Sequence, residues 1–198
     1  MREGDKVSLG NVVFKFTFQD EDDTNYQMML RIMAVKDGLT GIFNRRYFMG
    51  VLEKDFDYNR RNRPGLGIIL FDIDHFKLVN DTHGFPAGDF ILKNIASLVD
   101  YVARGYDVFA RFGGEEFVVM MRSRTLESAV ALAERVRAAI ENHALEYTDA
   151  PLQITGSLGL AFWSSDDRFL SSEELVSAAD EQLYKAKHAG RNCVLYLE

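Results

Sequence analysis

From Asp37 onward the sequence alternates between strand-like and helix-like hydrophobic periods, and this alternation narrows the folds open to it. Leu66–Phe71 is an unbroken apolar run, the pattern of a strand covered on both faces. Arg45–Arg61 has helical character. Asp89–Val102 sets Ile91, Ile95, Leu98 and Val102 on one helical face, and Leu126–Ile140 does the same with Val130, Ala133, Val136 and Ile140. Val108–Phe112 and Glu115–Met121 flank Gly113-Gly114, a strong hairpin signal. Gln153–Phe162 reads as a strand, Ser172–Ala189 as a helix and Cys193–Leu197 as a last short strand. The order is β-α-β-β-α-β, which predicts an α+β fold (an α/β sandwich) with a ferredoxin-like core.

The first residues have a different texture. Lys6–Leu9, a Gly10-Asn11 turn and Val12–Phe18 predict a hairpin in which Phe14, Phe16 and Phe18 alternate with Lys15 and Thr17. A lone two-stranded hairpin is marginal in water, so these phenylalanines need a partner surface. That surface is the main domain, another chain, or the rest of a larger sheet. Acidic residues Asp20–Asp23 and Thr24 as N-cap suit a helix start. Tyr26, Met29 or Leu30, and Met33 follow at helical spacing, so residues 20–36 are expected to form a linker helix.

Composition excludes several classes. The 198 residues suit one domain with attached segments. With 23 Lys and Arg against 30 Asp and Glu, the net charge is −7 and the pI about 5.2. Neither DNA binding through a basic face nor adhesion to an anionic membrane is expected. Cys193 is the single cysteine, which rules out an internal disulfide. The longest apolar run, Gly65–Phe71, is far too short to span a bilayer. Met1 is followed by Arg2, Glu3, Asp5 and Lys6, unlike a signal peptide, so a cytoplasmic location is expected.

Three clusters carry chemistry. Phe71-Asp72-Ile73-Asp74-His75-Phe76-Lys77 closes the apolar strand. Alternation there sends Asp72 and Asp74 to one side, beside the Ile73 carbonyl, an oxygen set suited to Mg²⁺. Alone, the pattern fits a solvated acidic loop as well. Arg111-Phe112-Gly113-Gly114-Glu115-Glu116-Phe117 joins a bare-backbone turn to two successive acids. Such acids are costly to hold near Asp72 without a cation. In Ala179–Asn192, Gly190 reads as the helix terminator, and Lys187 and Arg191, four apart, can converge on one anion. A basic helix end that merely complements the dipole is the competing reading. His75 and His83 lack a third His or Cys and read as loop histidines, not zinc ligands.

Together these clusters resemble the signatures of the GGDEF family, the diguanylate cyclases. Asp37-Gly38-Leu39-Thr40-Gly41-Ile42-Phe43-Asn44-Arg45-Arg46 is similar to that family's opening motif. Asn80-Asp81, Gly84, Gly88-Asp89 and Ser157-Leu158-Gly159-Leu160-Ala161 follow in its order. The resemblance covers about 37–198 and implies a nucleotidyl-cyclase palm that condenses two GTP into cyclic di-GMP. It implies Asp72, Glu115 and the Ile73 carbonyl as ligands of Mg²⁺, or of Mn²⁺, with Glu116 assisting catalysis. Asn80 and Asp89 would read the guanine edge, since a carboxylate can accept from guanine N1 and N2 hydrogens that adenine lacks. His75 and Phe76 would offer backbone N–H groups to phosphate, and Lys77, Lys187 and Arg191 would neutralise it. Gly113 and Gly114 would let the nucleotide lie on the hairpin. Each domain would hold one GTP, so a homodimer is expected.

Arg104 and Asp107 form an R-x-x-D whose last residue lies six positions before Gly113. The motif is similar to the family's product-inhibition site, where cyclic di-GMP would bind. Gly84-Phe85, with Pro86 next, stands where many members of the family carry Gly-His, beside the guanine-contacting stretch. A catalytically silent cyclic di-GMP receptor is the alternative to an enzyme, disfavoured by the complete acidic set. A cyclase using ATP is disfavoured by Asp89. Glu3–Gly10 with Val12–Phe18 resembles the last strands of a forkhead-associated (FHA) domain, which would make residues 1–19 a remnant of one.

Overall fold

The computed structural model describes residues 4–15, 26, 29–30, 32–62, 64–103, 108–122, 125–147, 150–164 and 169–197. It divides into two units, residues 1–34 and 35–198. In the first, β1 (Lys6–Leu9) pairs antiparallel with β2 (Val12–Lys15), Val7 opposite Phe14 and Leu9 opposite Val12. Opposed residues of an antiparallel pair share a face, so these four apolar side chains lie on one side of the hairpin. Gly10 takes φ +60 in the turn. Phe16 and Phe18 lie outside the described residues, as does most of the expected linker helix; residues 32–35 are helical.

The second unit is built on a six-stranded sheet. Its strands are β3 (Phe43–Asn44), β4 (Leu66–Ile73), β5 (Val108–Gly113), β6 (Glu116–Arg122), β9 (Gly156–Trp163) and β10 (Val194–Tyr196), in spatial order β10-β9-β4-β6-β5-β3. β4 runs antiparallel to both neighbours and is buried throughout. Helices α2 (Phe76–His83), α3 (Phe85–Val102) and α4 (Leu126–Glu141) cover the face carrying Ile69, Phe71 and Ile73. Helices α1 (Arg45–Asn62) and α5 (Ser172–His188) cover the face carrying Leu66, Ile68 and Leu70. The small hairpin β7 (Leu145–Tyr147) and β8 (Ala150–Leu152) completes the unit. Through the central strands the chain follows the expected β-α-β-β-α-β order. No described helix is long and apolar enough to cross a membrane.

Local chemistry explains the elements that set the site. Asn44 starts α1 by accepting the Tyr47 N–H at 2.9 Å, and Phe48, Leu52 and Phe56 bury one helical face. At the other end of α1, buried Asn59 accepts the Gly65 N–H at 2.8 Å and fixes the entry to β4. Ser171 caps α5 through the Glu174 N–H. In β9, a Cβ at Gly159 would overlap the Ala179 carbonyl and the Leu183 backbone, so glycine lets α5 rest directly on the sheet.

Some boundaries differ from expectation. A separate eight-residue helix precedes α3, which begins at Phe85 and not Asp89 because Pro86 suits a first helical turn. Glu115 belongs to the turn and not to β6, because the ladder shifts register between Arg111 and Gly113. β9 begins at Gly156, three residues later than the apolar pattern suggests.

Candidate active site

The site begins where β4 runs out. Asp72 is only 7% exposed and stands opposite Glu116 of β6 and Ser157 of β9. Asp72 and Glu116 therefore project to the same side of the sheet. Lys187, in the last turn of α5, donates to Asp72 Oδ2 at 2.8 Å. Burial, with the charges of Glu115 and Glu116, pushes the Asp72 carboxyl up to about 6 despite that ion pair. Three acids from two distant stretches thus share a neighbourhood short of positive charge. A divalent cation with oxygen ligands is the physical remedy, so the donor set fits Mg²⁺ or Mn²⁺. Among the described residues no three His, Cys, Asp or Glu side chains form a ready cage. Two carboxylates and the Ile73 carbonyl do not require one.

The turn that carries Glu115 is braced from behind. Arg111 donates to the Gly114 carbonyl through Nε at 2.9 Å and Nη2 at 2.7 Å. Its Nη1 reaches Asp37 Oδ1 at 3.2 Å. Asp37 in turn accepts from the Thr40 N–H at 2.9 Å and the Thr40 hydroxyl at 2.7 Å. Partial burial works against its ionisation, but the Thr40 bonds and the Arg111 charge hold its carboxyl below the usual range. Gly114 has φ +25, where a side chain would be strained. Residues 37–46 are therefore a mount for the hairpin, a role not evident in the motif itself. Glu116 also lines a groove of about 480 Å³ with Arg45, Met49, Phe112, Val176 and Asp180.

Asp74 lies on the same side as Asp72 but serves a different purpose. It is 4% exposed and accepts from the Ser157 hydroxyl at 2.6 Å, the Thr155 hydroxyl at 2.7 Å and the Asn192 N–H at 3.1 Å. Asn192 also donates to Glu141 Oε1 at 2.7 Å and accepts from Arg137 Nη1 at 2.9 Å. These bonds hold a turn in which Gly190, Arg191 and Asn192 all have positive φ, a costly conformation for arginine. Because α5 ends at His188, Arg191 does not sit one helical turn beyond Lys187. It is exposed, in a turn fixed by Asp74.

A second group lies at the α2–α3 corner. His75 precedes α2 in the left-handed conformation, φ 58, and no side chain caps that helix start. Phe76 is buried, while Lys77 is exposed on the first turn. Asn80 Oδ1 is buried and has no hydrogen-bond partner among the described residues. A Cβ at Gly88 would overlap that oxygen, so the Asn80 amide occupies the space glycine leaves. Asp89, the next residue, is exposed, and so is Phe85 at 79%. Gly113 is half-buried and Gly114 exposed at the hairpin tip. Arg104 and Asp107 lie outside the described residues. Sequence reasoning missed Arg111 and Asp37 as a pair, the Asp74–Asn192 clamp and the role of Gly88. Only the glycine left a local trace, as a helix-disfavouring residue inside a helical segment.

Residues 34–193 match the family model described as Diguanylate cyclase, GGDEF domain. The chain is similar to the Probable diguanylate cyclase DgcC of Escherichia coli K12, 35% identical over 167 residues, 84% of this chain and 44% of that protein. It is also similar to Diguanylate cyclase DgcP of Pseudomonas aeruginosa, 40% identical over 162 residues, 82% of this chain and 24% of that one. The chain thus spans less than half the length of these two relatives. Among solved structures, the coiled coil and GGDEF domain of DgcB from Caulobacter crescentus, in complex with c-di-GMP, matches with a TM-score of 0.82. Its identity is 28%, and the match covers 89% of this chain and 93% of that one.

Proposed function

The chain belongs to the GGDEF family of diguanylate cyclases, and from that premise we propose that it condenses two GTP into cyclic di-GMP with release of two pyrophosphates. The observation that carries this reading is the meeting of Asp72 with Glu116 across the β4–β6 ladder, with Glu115 beside them. We assign 37–198 to the cyclase domain, 20–36 to a linker helix and 1–19 to a hairpin derived from the end of an FHA sheet.

In this reading Asp72, Glu115 and the Ile73 carbonyl hold Mg²⁺ or Mn²⁺, and Glu116 assists. When bound, the ion neutralises the triphosphate and makes the attacking hydroxyl more acidic. The protein's own part is positioning and charge. Lys187 neutralises Asp72 before substrate arrives, and its ammonium then transfers to phosphate oxygens. Arg191 and Lys77 add charge from two other segments, and the His75 and Phe76 N–H groups, at an uncapped helix start, donate to phosphate. Gly113 and Gly114 keep the hairpin tip free of side chains beneath the nucleotide. Asn80 and Asp89 accept from the guanine N–H groups, and the orphaned Asn80 oxygen supports this.

Each 3′-hydroxyl attacks the α-phosphorus of the opposite GTP. The new P–O bond replaces the bond to pyrophosphate, and the hydroxyl proton passes to solvent or a nearby carboxylate. One domain holds one GTP, so the active species is a homodimer. Arg104 and Asp107 form a product-binding inhibitory site for cyclic di-GMP. The test is to incubate the protein with GTP and Mg²⁺ and follow cyclic di-GMP and pyrophosphate over a dilution series. The rate per protomer falls on dilution, and Arg104→Ala weakens inhibition by product. A GTP-bound dimer with no turnover would overturn the enzymatic reading.

A further inference from the structure

We propose that Gly88 is the positioning residue that sets guanine selectivity, because its missing side chain is what seats the Asn80 amide in the base site. The proposal rests on the reading of Asn80 as a guanine contact. Gly88 lies in the first turns of α3, after Phe85, Pro86 and Ala87. Helix propensity disfavours glycine there, so its presence calls for a packing reason. The reason lies on α2. A Cβ at position 88 would overlap Asn80 Oδ1, stand 3.1 Å from Asn80 Cγ and 3.0 Å from Phe76 Cζ. Phe76 and Asn80 are one helical turn apart and present one face to α3. The ring is buried and cannot retreat, so the amide must give way to any added methyl.

The displaced group is the one with unspent bonding capacity. Asn80 Oδ1 is buried without a hydrogen-bond partner among the described residues, beside the residue that precedes Asp89. A buried acceptor without a donor is a cost that a bound N–H group removes. Asp89 has oxygens for the N1 hydrogen and one N2 hydrogen of guanine, and Asn80 Oδ1 then accepts the second N2 hydrogen. Hypoxanthine keeps N1–H but lacks the N2 amino group. Preference for guanine over hypoxanthine therefore reports the Asp89 and Asn80 bonds together, and the share due to Asn80 is what Gly88 controls without touching the base.

The experiment measures equilibrium binding of 3′-deoxy-GTP and 3′-deoxy-ITP, which lack the attacking hydroxyl, to the full chain and three variants. Wild type prefers the guanine nucleotide by about tenfold or more, the scale of the two hydrogen bonds made by its N2 amino group. Asn80→Ala and Gly88→Ala both lower the ratio by the same several-fold step, to the level Asp89 sustains alone, and the Gly88→Ala/Asn80→Ala double variant is no worse than either. The double variant also regains thermal stability lost in Gly88→Ala, since the new methyl fills the space the amide vacates. If Asn80→Ala keeps the wild-type ratio, the guanine role of Asn80 fails. If Asn80→Ala loses it while Gly88→Ala keeps it, the positioning role of Gly88 fails and the guanine contact stands.

Discussion

Lys187 and Asp72 are joined at 2.8 Å, so the last turn of α5 is tied to the end of the central strand. The pair occupies the point where substrate charge is expected to arrive. Asp72 still ionises only at about 6, because burial and two neighbouring acids oppose its charge.

That has a consequence for pH. A carboxyl whose folded pKa is raised adds stability below its unfolded value near 3.8, and this is lost as pH climbs through about 6. The metal-free protein is expected to lose up to about 3 kcal/mol from this group over that window. Asp72→Asn removes the slope, which thermal melts from pH 4 to 8 will reveal. Cation binding runs the other way and strengthens as Asp72 ionises, so wild-type activity rises across the same window.

The Arg111–Asp37 brace predicts a catalytic effect larger than its structural one. Arg111→Lys keeps the charge but not the forked reach to Gly114 and Asp37. Turnover is expected to fall about tenfold or more, with melting lowered by only a few degrees. Asp37→Asn behaves similarly, and combining the two adds little. Steady-state kinetics beside melting curves check it. Additive losses would break the link between the two residues.

Gly159 connects the sheet to the helix that carries Lys187. Gly159→Ala drives a methyl into the α5 backbone, a mismatch costing about 1–3 kcal/mol. Melting is expected to drop by about 3–10 °C. GTP affinity falls further than this loss alone explains, because α5 carries Lys187. Unchanged affinity in the folded variant would detach Lys187 from substrate binding.

Much of this was legible in the sequence for local reasons. Leu66–Phe71 declares a doubly buried strand, and the acids at its end and at Gly113–Glu116 lie in contiguous motifs. The distant partnerships were not legible. Asp74 spends its oxygens on Thr155, Ser157 and Asn192, all far along the chain. Nothing in an Asp-x-Asp pattern separates such an anchor from a ligand. α2 was missed because eight residues with few apolar positions give a weak periodic signal. The hairpin boundary moved because a register shift leaves no mark on the pattern of residue types.

The most direct measurement is Mn²⁺ binding by electron paramagnetic resonance in the presence of 3′-deoxy-GTP. It compares the wild type with Asp72→Asn and Glu115→Gln. One tightly bound ion per protomer is expected in the wild type, with affinity lowered by about tenfold or more in each variant. Wild-type Mn²⁺ affinity in both folded variants would contradict it.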